Sequence, residues 1–281
     1  MSTTAQTDDA RPPRVLTLAP TGPIAFTTDN ANLPVTPAQI AAAATRAHEA
    51  GASVVHIHLR DANERPTADL GIAQETMDRI ADASPILVQL STGVGLGVPF
   101  EDREKLVELR PRMATLNPCS MTFGKGEFLN PPDGVRRLAR RMRELGVKPE
   151  LEIYDTGHLD FCLQLFDEGL LDTPLQFSIV MGVVGGMAPR IENLVTMINR
   201  IPTGSIWQVI AIGAGNLQLT AMGLAAGGNA RTGLEDTLRL RKGVDATNAS
   251  LIDRLVAVTQ ALDCRPATVD ETIELLQLPS R

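Results

Sequence analysis

The sequence predicts an α/β fold: a TIM (β/α)8 barrel with extra C-terminal helices. Three observations carry that prediction. Eight short apolar runs alternate with amphipathic helical segments, which implies parallel strands joined by crossover helices. A length of 281 residues accommodates eight such units in a single domain. Run after run ends in polar or glycine-rich residues, the pattern of a barrel whose chemistry sits at the C-terminal ends of its strands.

Taken in order, residues 1–13 are polar, hold Asp8, Asp9 and a Pro12-Pro13 pair, and read as a disordered tail. They have no apolar core and so suit neither a signal peptide nor a membrane anchor. One barrel domain is expected over 14–281. Its strands fall at 15–19, 53–59, 86–91, 113–117, 150–154, 175–181, 206–212 and, most weakly patterned, 228–232. The first helix starts at Thr36, an N-cap with Pro37 at N1 and Gln39 completing a capping box, and stops before Gly51. The segment 133–145 carries Arg136, Arg137, Arg140, Arg141 and Arg143. A solvated helix face explains this better than a binding patch. Residues 247–262 and 268–277 form the extra C-terminal helices, free to cover the barrel or to reach a neighbouring subunit.

Composition narrows the function. The formal net charge is −7 with no basic run, which argues against nucleic acid and anionic membranes as partners. No apolar run free of charge reaches the ~20 residues of a membrane span. Cys119, Cys162 and Cys264 are scattered without a Cys-x-x-Cys and fit reduced thiols in a cytoplasmic protein. Cys119 has no histidine placed to activate it and reads as a packed or pocket-lining thiol.

The second strand carries the most specific signal. Side chains alternate along a strand, so His56 and His58 project together, about 7 Å apart at their Cα atoms. Hydrogen-bonded core histidines would explain an isolated His-x-His as well as metal binding would. The other strand ends favour the metal. They hold Ser91-Thr92-Gly93, Thr115 and Asn117, Glu150 and Glu152, glycine-rich turns at 182–186 and 213–215, and Arg231 followed by Glu235 and Asp236. Two imidazoles and one carboxylate make a three-ligand site with open positions. Glu235 is the best third ligand, since the second and eighth strands can share a side-chain layer; Glu152 and Asp61 are rivals. Zinc suits the set, and Fe²⁺ or Mn²⁺ would also fit. Asp236 suits a general base with Arg231 as its partner or as a carboxylate clamp, although the two also suit a plain ion pair near a helix start. The glycine runs do not match a dinucleotide fingerprint in its proper setting.

Together these residues resemble the β-keto acid cleavage enzyme family, whose best-known activity is 3-keto-5-aminohexanoate cleavage. The resemblance runs from about residue 15 to 275. It includes the turn Ala19-Pro20-Thr21-Gly22 and the helix start 33–37, then VVHIHLRD, QLSTG, MATLN, PELEIYDTG, GVVGGM and RTGLEDTL. It implies a cytoplasmic homo-oligomer, a tetramer, with one Zn²⁺ per subunit on His56, His58 and Glu235 and acetyl-CoA as co-substrate. Ser91, Thr92, Gly93, Thr115 and Asn117 would line the substrate site, with Ile24 beside its tail. Glu152, Arg231 and Asp236 would form the charged catalytic set. The implied reaction is a Claisen-type exchange: the keto acid loses a C2 proton to Asp236, attacks acetyl-CoA, and the adduct is cleaved by CoA to acetoacetate and a new acyl-CoA. Where the aminohexanoate cleaver has an acid two residues after the first-strand glycine, this chain has Ile24, which implies a neutral or apolar substrate tail. Gly213-Ala214 and Gly228-Asn229 also depart from the family's Gly-Arg and Gly-Gly-His. The alternatives are a zinc hydrolase or aldolase that acts without CoA, and a non-catalytic barrel that binds acyl-CoA or a keto acid.

Overall fold

The computed structural model describes residues 10–279. Eight strands close into a barrel: β1 (Leu16–Leu18), β2 (Val54–Ile57), β3 (Leu87–Leu90), β4 (Met113–Leu116), β5 (Lys148–Ile153), β6 (Gln176–Met181), β7 (Ile206–Ala211) and β8 (Asn229–Thr232). All eight neighbouring pairs are parallel, β8 pairing with β1 to close the ring. The predicted strands are thus all present near their expected ends. The patterned helices intervene: α1 (Pro37–Ala50), α2 (Leu70–Ala83), α3 (Phe100–Arg103), α4 (Pro132–Leu145), α5 (Thr156–Asp167), α6 (Ile191–Arg200) and α7 (Asn216–Ala225). The capping box predicted for α1 forms between Thr36 and Gln39, and the helix ends at Gly51 in the left-handed region (φ 117°).

The apolar core lies outside the barrel wall, between strands and helices. Leu16, Leu18, Val55, Ile57 and Leu90 point outward onto the apolar stripes of α1 and α2, and Leu116, Leu151, Phe177 and Ile179 do the same on the other side. The interior is polar instead: Thr17, His56, Gln89, Glu150, Gln176 and Gln208 are all buried there. Strand alternation produces this division, because i and i+2 share a face.

Two helices follow β8. α8 (Asn248–Ala261) packs between α7 and α1 and takes the eighth place in the ring, so it is part of the barrel rather than an addition. α9 (Val269–Leu276) lies outside the ring and covers the N-terminal mouth, where Leu276 and Leu278 join Val15, just before β1, and Val54, Leu87 and Met113, the first residues of β2, β3 and β4. This fulfils the covering role expected of a C-terminal helix. The expected tail needs correction at its end. Pro13–Arg14 pairs in parallel with Arg265–Pro266, and that pairing ties the chain start to the segment leading into α9. Residues 1–9 lie outside the described residues.

The cationic face of α4 is a solvated face, as predicted. Arg136 pairs with Glu168, Arg137 with Glu104, Arg141 with Glu108 and Glu144, and Arg143 with Asp172. Two hairpins that the sequence pattern did not announce rise from the C-terminal mouth: Met121–Phe123 with Gly126–Phe128 after β4, and Arg239–Arg241 with Val244–Asp245 after β8. None of the described helices is long and apolar enough to cross a membrane.

Candidate active site

His56 near the end of β2 and His58 just beyond it point to one spot at the C-terminal mouth, with ring centroids 5.1 Å apart. Glu235 meets them. Its carboxylate oxygens lie 3.5 Å from His56 Nε2 and 3.6 Å from His58 Nε2. Glu235 does not come from a strand layer, as the sequence argument had it. It stands in the turn after β8 and reaches inward across Gly22. A Cβ on Gly22 would collide with Glu235 Cγ, so only glycine leaves that approach open. The rivals are placed elsewhere. Asp61 accepts from the amides of Asn63 and Arg65, and Glu152 faces Arg231.

Burial and hydrogen bonding fix the protonation of the two rings. Desolvation lowers His58 to about 3 and His56 well below its ordinary value, so both are neutral. His56 Nδ1 donates to Gln89 Oε1 (2.8 Å) and His58 Nδ1 to the carbonyl of Val94 (3.2 Å). Each Nε2 lone pair therefore faces Glu235. His56 Nε2 and Glu235 Oε2 are buried without any hydrogen-bond partner. Native proteins rarely leave such atoms orphaned. Two donors ~2.05 Å from one tetrahedral ion stand about 3.3 Å apart, close to the spacing found here. The three ligand atoms, all within 4.8 Å of one another, fit a divalent cation.

A chain of amides supports His56 from below. Gln89 Nε2 donates to Glu150 Oε2 (2.6 Å), which also accepts from Gln176 (2.9 Å) and Gln208 (3.1 Å). Gln208 in turn bonds Ser178 and Thr17. Glu150 thereby sets the orientation of the Gln89 amide, and the amide sets the tautomer of His56. Burial raises the Glu150 carboxyl, and its amide donors oppose that rise. The three glutamines were missed in the sequence. Their only signal was a polar residue at an inward position of a largely apolar strand, joined on β6 by Ser178.

Arg231 on β8 gathers the acids. It donates to Asp236 (2.7 and 3.3 Å) and Glu235 (2.7 Å), and its Nη1 lies 3.6 Å from Glu152. That Nη1 is buried and bonds nothing. Burial raises Glu152 to about 7 against the pull of Arg231, and Tyr154 donates to it (3.3 Å). Asn117, buried beside Glu152, also opposes that rise, and neither of its amide atoms reaches full hydrogen-bond geometry. Ser91 and Gly93 line a small cavity with His58, Glu152, Glu235 and Ile24. Thr92 and Thr115 turn to each other instead: the Thr92 amide donates to Thr115 Oγ1, and Thr92 Oγ1 to the Thr115 carbonyl. They join the ends of β3 and β4 and line neither cavity described here. Cys119 also lines neither, and burial lifts its thiol to about 11.

The small cavity adjoins a large one of about 1660 Å³, which is mostly apolar and reaches from Arg231 and Asp236 to the two hairpins. Its Phe123 and Leu96 walls were not singled out in the sequence, because apolar loop residues carry no chemical signature; Tyr154, just past the end of β5, was missed as well.

A family model described as beta-keto acid cleavage enzyme matches residues 13–278. The chain belongs to this family. It is 34% identical to the 3-dehydrocarnitine:acetyl-CoA trimethylamine transferase of Rhizobium meliloti (strain 1021), covering 95% of this chain and 97% of that one. It is 34% identical to the 3-keto-5-aminohexanoate cleavage enzyme of Fusobacterium nucleatum, with 89% and 92% covered. Identity to the 3-oxoadipate:acetyl-CoA acetyltransferase of Cupriavidus necator is 33%, with 95% and 96% covered. Among solved structures, apo ObcA superposes with a TM-score of 0.76 at 19% identity, over 88% of this chain and 66% of that longer chain. This last likeness bears on the fold alone.

Proposed function

We propose that this protein is a zinc-dependent β-keto acid cleavage enzyme that condenses a β-keto acid with acetyl-CoA. The products are acetoacetate and a new acyl-CoA. The observation that carries the reading is the convergence of an orphaned His-His-Glu cluster and the Arg231 acid cluster where two cavities adjoin: His58 and Glu152 line the small one, Arg231 and Asp236 the large one, and Glu235 both. The acetyl-CoA names of the relatives support the co-substrate.

His56, His58 and Glu235 would hold the Zn²⁺, one per subunit. Bound there, the ion would supply Lewis-acid polarisation of the keto oxygen. Asp236 takes the C2 proton, and Arg231, held against it, steadies both carboxylate charges as the proton moves. The C2 carbanion forms a bond to the acetyl carbonyl and expels CoA thiolate. The thiolate then attacks the original keto carbon, the C2–C3 bond breaks, and acetoacetate leaves after C2 is reprotonated. Glu152 offers a polar contact to the substrate beside Ser91, Gly93 and Ile24, with Asn117 behind it, while Thr92 and Thr115 keep that wall in place.

The tail pocket favours an apolar substrate. Ile24, 53% exposed, lines both cavities beside Leu96 and Phe123. The acids among the lining residues are Glu152, Glu235 and Asp236, all engaged with Arg231. An ammonium tail would find no counter-charge. A homo-oligomer, by family resemblance a tetramer, and a cytoplasmic location belong to the same reading. Ile191 and Val195, exposed one turn apart on α6, suit a covered surface.

The test is a panel of β-keto acids with acetyl-CoA, scored for acetoacetate and for acyl-CoA mass. A neutral tail should exceed the amino analogue by roughly 10–100-fold in kcat/KM. Ile24→Glu should narrow that ratio. Asp236→Asn should lower turnover by ~10²–10⁴ and stop exchange of C2 protons into D₂O. Wild-type exchange in that variant would remove Asp236 from its role. Hydrolysis of the keto acid without acetyl-CoA would favour a hydrolase.

A further inference from the structure

Five cations line the outer part of the large cavity: Lys125, Arg239, Arg241, Lys242 and Arg254. The acids among its lining residues are Glu235 and Asp236, both at the base and both bonded to Arg231. The mouth is therefore positive in a chain whose formal net charge is −7. Solvation alone would scatter lysines and arginines among acids, as α4 does. Here they gather around one opening.

The cationic wall is an ordered one. Arg239 pairs with Asp245 across its hairpin, and Arg254 on α8 donates to the Leu240 carbonyl, so the hairpin is tied down. Arg241 and Lys242 at its tip, and Lys125 in the turn of the other hairpin, are exposed and make no ion pair among the described residues. The two hairpins follow β8 and β4, which stand on opposite sides of the eight-stranded ring. Positive charge thus flanks the mouth from two directions. The cavity beneath is larger than the ~300–1,000 Å³ usual for a small-molecule site, and a keto acid fills little of it. Val183, Ile212 and Leu217 contribute apolar wall to the same cavity that the cations and Asp236 line.

We propose that Arg241 and Lys242, with Lys125 across the mouth, bind the phosphates at the nucleotide end of acetyl-CoA. The apolar wall then carries the pantetheine arm inward and delivers the thioester beside Asp236. This inference rests on acetyl-CoA being the co-substrate. It adds where that molecule's charge is recognised.

The experiment compares wild type with an Arg241→Glu, Lys242→Glu double variant, using acetyl-CoA and acetyl-pantetheine, which lacks every phosphate. The expected result is a KM for acetyl-CoA raised roughly 10–100-fold in the variant, with kcat and the keto-acid KM close to wild type. The KM for acetyl-pantetheine should stay put. Raising salt should weaken acetyl-CoA in the wild type and do so less in the variant. An unchanged KM for acetyl-CoA, or an equal rise for acetyl-pantetheine, overturns the proposal. Calorimetry with CoA alone separates the two readings. If CoA binds wild type and binds the variant more weakly while no keto acid is turned over, the phosphate site stands and the reaction falls. If CoA does not bind wild type, the phosphate site falls.

Discussion

The two ends of this barrel are built on opposite rules. The N-terminal end is closed. α9 lies over it, Val15, Val54, Leu87 and Met113 meet Leu276 and Leu278, and polar side chains there are tied in, as Thr272 is to Ser53 and Lys148 to the Pro174 carbonyl; Arg14 and Arg112 each leave a buried Nε without a hydrogen bond but bond a carbonyl through another nitrogen. The C-terminal end is open. It holds His56 Nε2, Glu235 Oε2, Arg231 Nη1 and both amide atoms of Asn117 without hydrogen bonds. Each orphan of this kind costs on the order of 1–3 kcal/mol. A fold tolerates several at one end only if the other parts supply stability and if a ligand completes them. The difference teaches that stability and chemistry occupy separate ends of the same eight strands.

That contrast can be broken most sharply at the open end. His58→Ala should lose most of the bound zinc and at least ~10²-fold in activity, with far-ultraviolet dichroism and Tm of the metal-free protein close to wild type. Full zinc occupancy by elemental analysis would remove His58 as a ligand. Next comes the support below the rings. Glu150→Gln keeps the shape but weakens the anchor on Gln89, so zinc affinity measured by chelator competition should fall ~10-fold. Unchanged affinity would mean that Gln89 needs no anchor.

At the closed end the sign of the contrast reverses. Leu276→Ala should lower Tm by roughly 5–15 °C, through a cavity in the cluster over the strand starts, with kcat/KM of the folded protein unchanged. A loss of kcat/KM with unchanged Tm would show that the ends are coupled. The smallest effect expected is acid sensitivity at the α9 anchor. Arg265 donates two hydrogen bonds to Glu271 and holds its carboxyl down at about 2. A carboxylate lowered on folding stabilises above its unfolded value, about 4.3, and loses that contribution as pH falls toward 2. The Tm gap between wild type and Glu271→Gln should therefore be present at pH 7 and close between pH 4.5 and 2. A constant gap would mean that Glu271 acts through packing.

The sequence by itself determined the period-two and helical patterns, and with them the eight strands, the helix starts such as Thr36, and the shared face of His56 and His58. These follow from local sterics, which repeat along the chain and need no distant partner. It also told which polar residues stand at strand ends, because their alternation with apolar neighbours is local too. Only the tertiary structure decided which of them meet. The sequence already ranked Glu235 ahead of Glu152 and Asp61, but the route by which it reaches the histidines, through the turn after β8 and past the missing Cβ of Gly22, is a contact between residues far apart in the chain. The Gln89–Glu150 support draws on β3, β5, β6 and β7 at once, and Thr92 and Thr115 were claimed by each other before any substrate. Barrel closure brings such groups together at angles and depths set by the whole ring, and that geometry is carried by no single segment.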